Sequence, residues 1–472
     1  MTSDVVVVGG GPAAHRLAVR LEHHGHRGTV TVIGAEETPP YNRALLGSVL
    51  DGTLSTDRLR LPPLPPAVTL LTGVRVTDVD RARRTVRIGD GRELDYDVLV
   101  LATGALPRVP HVPGLLTARG RPAEGVRTVR TAADCGPVRT GPVVVLGGGV
   151  LGVETALSLR RAGHEVALVH PEPHLMERHL DAAGGAVLGD VLAGRDVAVH
   201  LGRRAVEYAP GKLVLDDGRI LEAGTLLLCA GTVPDTALAR RSGLAVRHGV
   251  VVDDRLRTGD PRIHAIGDCA EHAGTAAGTV TAAWEQADAL AGILTGSDRP
   301  FRPRRQVLRP RTAGLDAVVL TPGGADRDAD GAVEETVSLV DRAAGRYARL
   351  ELRGGRVHRG AVIGAAAPVA AAGALHEAGA PLPEDRFAWL TGSDGTYADG
   401  GALPDDAVVC HCNNVTRGAL RQAWADGAHD PAALAGATRA TTGCGGCADA
   451  VRDLCAALGS APHDTTAQGG TP

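Results

Sequence analysis

Four cysteines near the C-terminus have the spacing of a metal centre. Cys410 and Cys412 form a C-x-C pair, and after 31 further residues Cys444 and Cys447 form a C-x-x-C pair. Four thiolates suit either a zinc ion or an iron–sulfur cluster. The two glycines inside the second pair let the backbone wrap closely around a metal. C-x-C is less typical of zinc sites than C-x-x-C, but the spacing alone leaves both metals open.

A first glycine-rich turn directly follows a strand pattern. Gly9, Gly11 and Ala14 form G-x-G-x-x-A after the apolar run Val5–Val8. In such a turn the first glycine makes the bend, the second lets the backbone approach a pyrophosphate, and the small third residue lets helix pack on strand. Glu36 follows the second predicted strand, where a carboxylate can accept from ribose hydroxyls. The pattern predicts a dinucleotide site.

A second glycine-rich turn repeats the arrangement. Gly147, Gly149 and Gly152 complete G-x-G-x-x-G after another apolar run, and the next strand is followed by His170 rather than by an acid. Glu172 lies 20 residues past Gly152, and residues 170–175 include no arginine to hold a 2′-phosphate. This favours NADH over NADPH.

The elements that must position these residues alternate between strand and helix patterns, which is typical of parallel βαβ units. Short alternating strands further along predict a small α+β domain, and two capped helices are expected between the cysteine pairs. The predicted strands and helices are Val5–Val8, a helix to His24 and Thr29–Ile33; Val143–Leu146, a helix to Ala162 and Glu165–Val169; Ile263–Ile266 and Val280–Leu294; Thr336–Val340, Tyr347–Leu352 and Val357–Ile363; and helices that begin after Thr416, after Asp430 and at Ala448.

Length and composition exclude several classes of protein. The 472 residues suggest about three domains. A net charge of −4, with two Phe, three Trp and five Tyr, does not match the basic, base-stacking surface of a nucleic-acid-binding protein. A strand pattern begins at Asp4 without a secretory leader, and no 18-residue apolar run is present. We therefore expect a cytoplasmic protein without a membrane or nucleic-acid partner, whose eight cysteines form no disulfide framework.

Three later motifs complete an ordered set. They are Ala102-Thr103-Gly104, Cys229-Ala230-Gly231-Thr232-Val233-Pro234-Asp235 and Ala265-Ile266-Gly267-Asp268. With the two glycine loops, this order resembles the FAD-dependent pyridine nucleotide-disulfide oxidoreductase superfamily over roughly residues 4–300. The resemblance implies that FAD contacts Gly9, Gly11, Ala14, Glu36, Arg43, Thr103, Gly104, Gly267 and Asp268, and that Gly147, Gly149, Gly152 and Glu154 line the NAD(P)H site.

One departure from that superfamily concerns its chemistry. Its disulfide reductases carry a C-x-x-x-x-C or C-x-x-C pair beside the flavin, whereas Cys135, Cys229 and Cys269 are single and far apart in this sequence. We expect these three to be buried structural thiols. Dithiol chemistry is therefore disfavoured, and no catalytic side chain is required because the cofactors carry the reaction.

The C-terminal segment resembles a second family. Val409–Gly418 (VCHCNNVTRG) and Thr442–Cys447 (TGCGGC) are similar to the 2Fe–2S domain of the bacterioferritin-associated ferredoxin type, and Pro40–Arg43 (PYNR) and Leu175–Asp181 (LMERHLD) to the large subunit of NADH-dependent nitrite reductases. This implies that Cys410, Cys412, Cys444 and Cys447 hold a 2Fe–2S cluster. Because the chain stops at Pro472, before any sirohaem domain, we expect an electron-transfer subunit that receives electrons from NADH through FAD and passes them to the catalytic subunit of an assimilatory nitrate or nitrite reductase.

The predicted fold class is α/β, with two Rossmann-like domains in a glutathione-reductase-like arrangement, a small α+β domain and a small helical 2Fe–2S domain. Two alternative functions are a ferredoxin- or rubredoxin-type reductase with another acceptor, and a redox-sensing flavoprotein with a structural zinc site. A homodimer is an open alternative to a monomer. The expected boundaries are 1–120 with 236–300 for FAD, 121–235 for NAD(P)H, 301–391 for the α+β domain, 392–406 for a linker, 407–458 for the 2Fe–2S domain and 459–472 for a disordered tail.

Overall fold

The computed structural model describes residues 3–136, 138, 141–312, 314–327, 332–393, 405, 407–410, 412–443 and 445–460. The predicted linker and tail lie almost wholly outside these residues. The chain divides into two compact units, the first formed by Met1–Pro310 with Leu315–Leu382 and the second by Arg311–Gly314 with Pro383–Pro472.

The first unit contains all the elements up to Ala378. Its strands are β1 (Val5–Val8), β2 (Val30–Ile33), β3 (Val68–Leu71), β4 (Val76–Asp80), β5 (Thr85–Ile88), β6 (Glu93–Asp95), β7 (Val98–Leu101), β8 (Ala105–Pro107), β9 (Val126–Thr128), β10 (Val143–Leu146), β11 (Val166–His170), β12 (Val197–Leu201), β13 (Ala205–Ala209), β14 (Gly211–Leu215), β15 (Ile220–Ala223), β16 (Thr225–Leu228), β17 (Thr232–Pro234), β18 (Val250–Val252), β19 (Ile263–Ala265), β20 (Ala270–His272), β21 (Thr275–Ala276), β22 (Gln306–Leu308), β23 (Ala317–Thr321), β24 (Glu335–Asp341), β25 (Arg346–Arg353) and β26 (Arg356–Ile363). Its helices are α1 (Pro12–His23), α2 (Leu46–Leu50), α3 (Val150–Arg161), α4 (Ala182–Ala193), α5 (Ala237–Arg241), α6 (Val280–Leu294), α7 (Gly324–Arg327) and α8 (Ala366–Ala378).

Two parallel sheets carry the glycine loops. The first has the strand order β19-β7-β1-β2-β3 and the second the order β12-β11-β10-β16-β9. The central strands β1 and β10 consist of valine and leucine that are at most 6% exposed, as expected for parallel strands covered on both faces. Each glycine loop leaves the carboxyl end of such a central strand, where an α/β sheet binds its ligands. The two predicted Rossmann-like domains are thus confirmed.

An antiparallel sheet forms the rest of the first unit. Its order is β22-β23-β26-β25-β24, and α8 packs on β23 and β26. The strands predicted at Thr336–Val340, Tyr347–Leu352 and Val357–Ile363 are present with longer bounds. Smaller sheets have the orders β4-β5-β6, β13-β14-β15 and β18-β20-β21, and the ribbon β8-β17 joins the segments that follow the first and second sheets.

The second unit is small and mostly helical. It contains α9 (Arg386–Thr391), the two-stranded sheet of β27 (Val408–Cys410) and β28 (Val415–Thr416), α10 (Arg417–Ala425), α11 (Pro431–Thr438) and α12 (Ala448–Ser460). The predicted caps are correct: Thr416 accepts a hydrogen bond from the Ala419 amide, and Asp430 accepts from the amides of Ala432 and Ala433. Cys410 is the last residue of β27, and Cys447 directly precedes α12.

Candidate functional site

The first glycine loop exposes the N-terminus of α1. Gly9 has a φ of 125°, and a Cβ there would lie 2.1 Å from the Ala102 carbonyl oxygen, so only glycine fits. Gly11 is the N-cap of α1 and supplies no side-chain cap. A Cβ on Gly11 would meet only Arg43 Nε, at 4.0 Å. The backbone amides at the start of α1 therefore face open space, which suits a bound phosphate.

The second loop has the same geometry. Gly147 has a φ of 121°, and its Cβ would lie 2.4 Å from the Cys229 carbonyl oxygen. Gly149 occupies the N-cap position of α3 without a side-chain cap, and nothing lies within 4 Å of an added Cβ there. A Cβ on Gly152 would meet the Gly147 carbonyl oxygen at 1.8 Å. Each glycine thus performs the task that its motif position predicts. Glu154 lies in the second turn of α3 and is half-buried.

A polar network surrounds Glu36. The Tyr41 hydroxyl donates to Glu36 Oε2 at 2.6 Å, and Arg43 forms an ion pair with the same carboxylate. Burial raises the pKa of Tyr41 above its usual value, so that the hydroxyl stays protonated and can donate. The carboxylate is therefore held at the end of the first sheet, where the motif predicts it.

Arg130 extends this network to the second predicted acid. Its guanidinium donates from Nη2 to Asp268 Oδ2 at 2.9 Å and from Nε to the Ala105 carbonyl at 2.8 Å. Arg43 Nη1 in turn donates to the Arg130 carbonyl at 3.0 Å. The two arginines thus link Glu36 to Asp268. Sequence reasoning missed Arg130 because it belongs to no glycine motif.

The turn that carries Asp268 is fixed from α6. Gly267 has a φ of 75°, and its amide donates to the buried side chain of Gln286 at 2.7 Å. Across the site, the Thr103 hydroxyl donates to the Asp235 carbonyl at 2.6 Å. Sequence reasoning also missed Gln286, which sits inside an ordinary helical pattern.

The structure brings most of the predicted flavin-site residues together. A Cβ added to each glycine would lie within 4.0 Å of a second residue of the site, which pairs Gly9 with Thr103, Gly11 with Arg43, Gly104 with Arg130 and Gly267 with Ala13 on α1. A helix start without a side-chain cap, close-packed glycines and two carboxylates therefore lie near one another, and together they offer the chemistry that a dinucleotide requires. Bound FAD therefore fits the residues present.

The single cysteines of the first unit are buried, as the sequence predicted. Burial raises the pKa of Cys135 and of Cys229 to about 12 and also raises that of Cys269, whose Sγ donates to the carbonyls of Leu101 and Ile266. A thiol is nucleophilic as its thiolate. These three residues are therefore unsuited to dithiol exchange at neutral pH.

Three of the four predicted metal ligands meet in the second unit. Cys410 Sγ lies 3.5 Å from Cys412 Sγ, and Cys410 also forms a hydrogen bond with Cys447. All three are at most 7% exposed. Two thiolates on one tetrahedral metal ion stand about 3.8 Å apart, given metal–sulfur bonds of about 2.3 Å. The donor set and its spacing therefore fit an iron–sulfur or zinc centre.

The fourth predicted ligand, Cys444, lies outside the described residues. In the part of the chain that the structure describes, no three His, Cys, Asp or Glu side chains form a closed metal-binding group. Asn413 connects the two cysteine regions, since its Nδ2 donates to the Arg439 carbonyl at 2.7 Å and to Thr442 Oγ1 at 3.2 Å. The Thr441 amide donates to Cys447 Sγ at 3.3 Å. Such N–H···S contacts are typical of ligating thiolates.

Family models match most of the chain. The model described as pyridine nucleotide-disulphide oxidoreductase matches residues 3–287, and the model of the BFD-like 2Fe-2S binding domain matches residues 408–457. The second match favours an iron–sulfur cluster over zinc at the cysteine pairs. Across the described residues, no helix combines the length and hydropathy that a membrane span requires.

Curated relatives agree with both matches. Nitrite reductase (NAD(P)H) of Bacillus subtilis is 29% identical over 93% of this chain and 55% of its own length, and the assimilatory nitrate reductase electron transfer subunit of the same species is 28% identical over 95% and 59%. Rhodocoxin reductase of Rhodococcus erythropolis is 32% identical over 63% and 74%. A ferredoxin reductase from Rhodopseudomonas palustris superposes with a TM-score of 0.66 at 26% identity, over 76% of this chain and 91% of its own. The chain spans about half the length of the nitrite and nitrate reductase relatives that it matches.

Proposed function

Because this chain belongs to the pyridine nucleotide-disulphide oxidoreductase family and carries a BFD-like 2Fe-2S binding domain, we propose that it moves electrons from NADH to a partner protein. The partner that we propose is the catalytic subunit of an assimilatory nitrate or nitrite reductase. The observation that carries this proposal is the presence, in one chain, of two open glycine loops and a buried set of cysteine thiols.

The second loop is the entry site for the reduced nicotinamide. Its open Gly149 and the uncapped start of α3 would receive the pyrophosphate. Pairing of Val8 with Ile33 and of Leu146 with Val169 puts Glu172 at the position that Glu36 occupies in the first loop. Such a carboxylate accepts from a ribose 2′-hydroxyl and repels a 2′-phosphate, which supports NADH over NADPH.

The first loop is the site for FAD. Gly9, Gly11 and Ala14 would let α1 approach the pyrophosphate, while Glu36 and Asp268 would accept from hydroxyls of the cofactor. Arg43 and Arg130 form ion pairs with these two carboxylates and hold them in place for the cofactor. Bound FAD would accept two electrons from NADH and release them one at a time, which is the form in which a 2Fe–2S cluster can accept them.

The cysteine pairs are the exit site. We propose Cys410, Cys412, Cys444 and Cys447 as the cluster ligands, with the Thr441 amide stabilising the thiolate of Cys447. Each NADH that becomes NAD⁺ releases two electrons and one proton, so two one-electron acceptors are reduced for each NADH oxidised.

The choice of nitrate or nitrite assimilation rests on the relatives that span both units. The two Bacillus relatives extend over 93% and 95% of this chain. A second candidate is reduction of a small ferredoxin-like protein, favoured by the similarity of the flavoprotein part to rhodocoxin reductase over 63% of the chain.

The test compares Cys447→Ser with Cys455→Ser in the full chain. Both cysteines belong to the C-terminal end of the second unit, but Cys455 lies outside the proposed ligand set. We expect Cys447→Ser to lose iron, acid-labile sulfide and reduction of the protein acceptor, while NADH oxidation by a small dye continues. Cys455→Ser should retain all four properties.

The acceptor is identified by offering three purified proteins separately: an assimilatory nitrate reductase catalytic subunit, a sirohaem nitrite reductase and a small ferredoxin. Turnover with only the ferredoxin would favour the second candidate. A wild-type protein that binds FAD but is not reduced by NADH would overturn the proposal, as would a Cys447→Ser variant that still reduces the protein acceptor.

A further inference from the structure

The second glycine loop is fastened by a buried histidine. His170, the last residue of β11, is 5% exposed. Its Nδ1 accepts a hydrogen bond from the Gly148 amide at 3.1 Å, and its Nε2 lies 3.0 Å from Glu177 Oε2. Because Nδ1 accepts and a carboxylate only accepts, the proton of the neutral ring must sit on Nε2. Both ring nitrogens are thus used within the protein.

The segment that follows His170 also binds the carbonyl group of Gly148. The Gly148 carbonyl accepts from the Met176 amide at 2.9 Å, and Met176 adopts a φ of 52° to present that amide. A Cβ on Gly148 would lie 2.6 Å from the His170 ring and 2.7 Å from Leu175. Residues 170–176 therefore hold both backbone groups of Gly148, and the ring fills the space beneath it.

The first loop is built differently at the equivalent position. Strand pairing aligns Ile33 with Val169, so Gly34 corresponds to His170. Gly34 has no side chain, and a Cβ on Gly10 would meet its Cα at 3.0 Å. The backbone there packs directly on backbone. The histidine contact is therefore a particular feature of the second loop, whereas the glycine pattern is shared by both.

We propose that His170 is a positioning residue for the NAD(P)H site. By holding the Gly148 amide, the ring fixes the loop in the conformation that presents Gly149 and the start of α3 to the pyrophosphate. His170 does not contact the nucleotide in this role, since both of its nitrogens are occupied. The inference rests on the proposed function for the identity of the ligand, and on the geometry alone for the fastening of the loop.

Two substitutions at position 170 separate positioning from mere packing. His170→Asn places an amide oxygen close to where Nδ1 accepts, whereas His170→Leu fills similar space without an acceptor. An unpaired buried amide is costly, so we expect His170→Leu to raise the KM for NADH about tenfold, or about 1.4 kcal/mol, with kcat for dye reduction and FAD content unchanged. His170→Asn should restore most of the wild-type KM.

Glu177→Ala provides a variant that folds even if position 170 does not tolerate leucine, because Glu177 is 30% exposed. Without its carboxylate the ring loses the partner that orients it, and we expect a smaller rise in KM in the same direction.

The two proposals fail in different ways. A residue that is merely structural would lower the melting temperature of His170→Leu without changing the KM. A wild-type KM in both His170→Leu and Glu177→Ala would overturn the positioning role while leaving NADH oxidation established. If the wild-type protein were inert towards NADH, the proposed function would fail, and so would the assignment of NADH to the second loop.

Discussion

Gly149 is the position where a single methyl group tests the second loop most directly. Its φ of −74° and ψ of −175° are extended backbone that any residue adopts, and nothing lies within 4 Å of an added Cβ. Gly149→Ala should therefore fold, at a cost below about 1 kcal/mol for a poorer N-cap. The new methyl would occupy the side of the loop that the pyrophosphate must approach.

The expected effect is on binding of NADH. Forcing an extra methyl into a packed contact costs about 1–3 kcal/mol, which corresponds to a rise in KM for NADH of about 5- to 150-fold. Because the contact is present before and during the reaction, kcat for dye reduction should change little. Steady-state oxidation of NADH at several concentrations measures both constants, and the absorbance of bound flavin checks that the first site is intact.

Gly189→Ala is the matched control. Gly189 lies within α4 in the same half of the unit, also has nothing within 4 Å of an added Cβ, and has no positive φ. Replacing a helical glycine with alanine stabilises a protein by about 0.5–1 kcal/mol, so this variant should unfold at a higher temperature and keep the wild-type KM for NADH. A wild-type KM in Gly149→Ala would refute the assignment of the second loop to the nucleotide.

Two further predictions concern the framework that holds the first site. Burial lowers the pKa of His264 from 6.5 to about 4, so between these pH values the unfolded chain binds a proton that the folded chain excludes. The free energy of unfolding should therefore fall by about 3 kcal/mol as pH drops from 6.5 to 4. Urea unfolding of His264→Gln at several pH values should lack this contribution. Gln286→Leu removes the acceptor of the Gly267 amide, so the free energy of unfolding should fall by about 1–3 kcal/mol and FAD should be retained less well. Gln286→Glu keeps an acceptor and should retain FAD. Equal loss of FAD from both variants would contradict this explanation.

Residues with a local task were predictable from the sequence. Gly9 and Gly147 make turns with φ near 120°, and Gly152 allows helix and strand to approach, so each is required within its own short motif. The caps Thr416 and Asp430 follow from the same kind of local rule, because a side chain reaches only the amides that directly follow it. These features carry the fold class, both glycine loops and the helices around the cysteine pairs.

Residues whose partners are distant in sequence were not predictable. Arg130 meets Asp268 across 138 positions, and nothing in the neighbouring residues indicates that contact. Gln286 is one polar residue on a helix, and its role depends on the fold placing its side chain against the Gly267 amide. His170 was visible as a departure from the expected acid, but its bond to Gly148 needs the strand register, which extends β11 by one residue beyond the predicted end.

The two loops share a backbone geometry but differ in the polar contacts around them. This is the difference expected between the site of a resident cofactor and the site of a substrate. At the first loop, Tyr41, Arg43 and Arg130 link the predicted ligand-binding acids Glu36 and Asp268 into one network. Such a set of groups, already oriented, lowers the entropic cost of binding and favours slow release. At the second loop the two ring nitrogens of His170 form hydrogen bonds with the Gly148 amide and with Glu177, so neither faces a ligand. The start of α3 has no side-chain cap. A nucleotide that meets fewer oriented polar groups can leave after each turnover, as a consumed electron donor must.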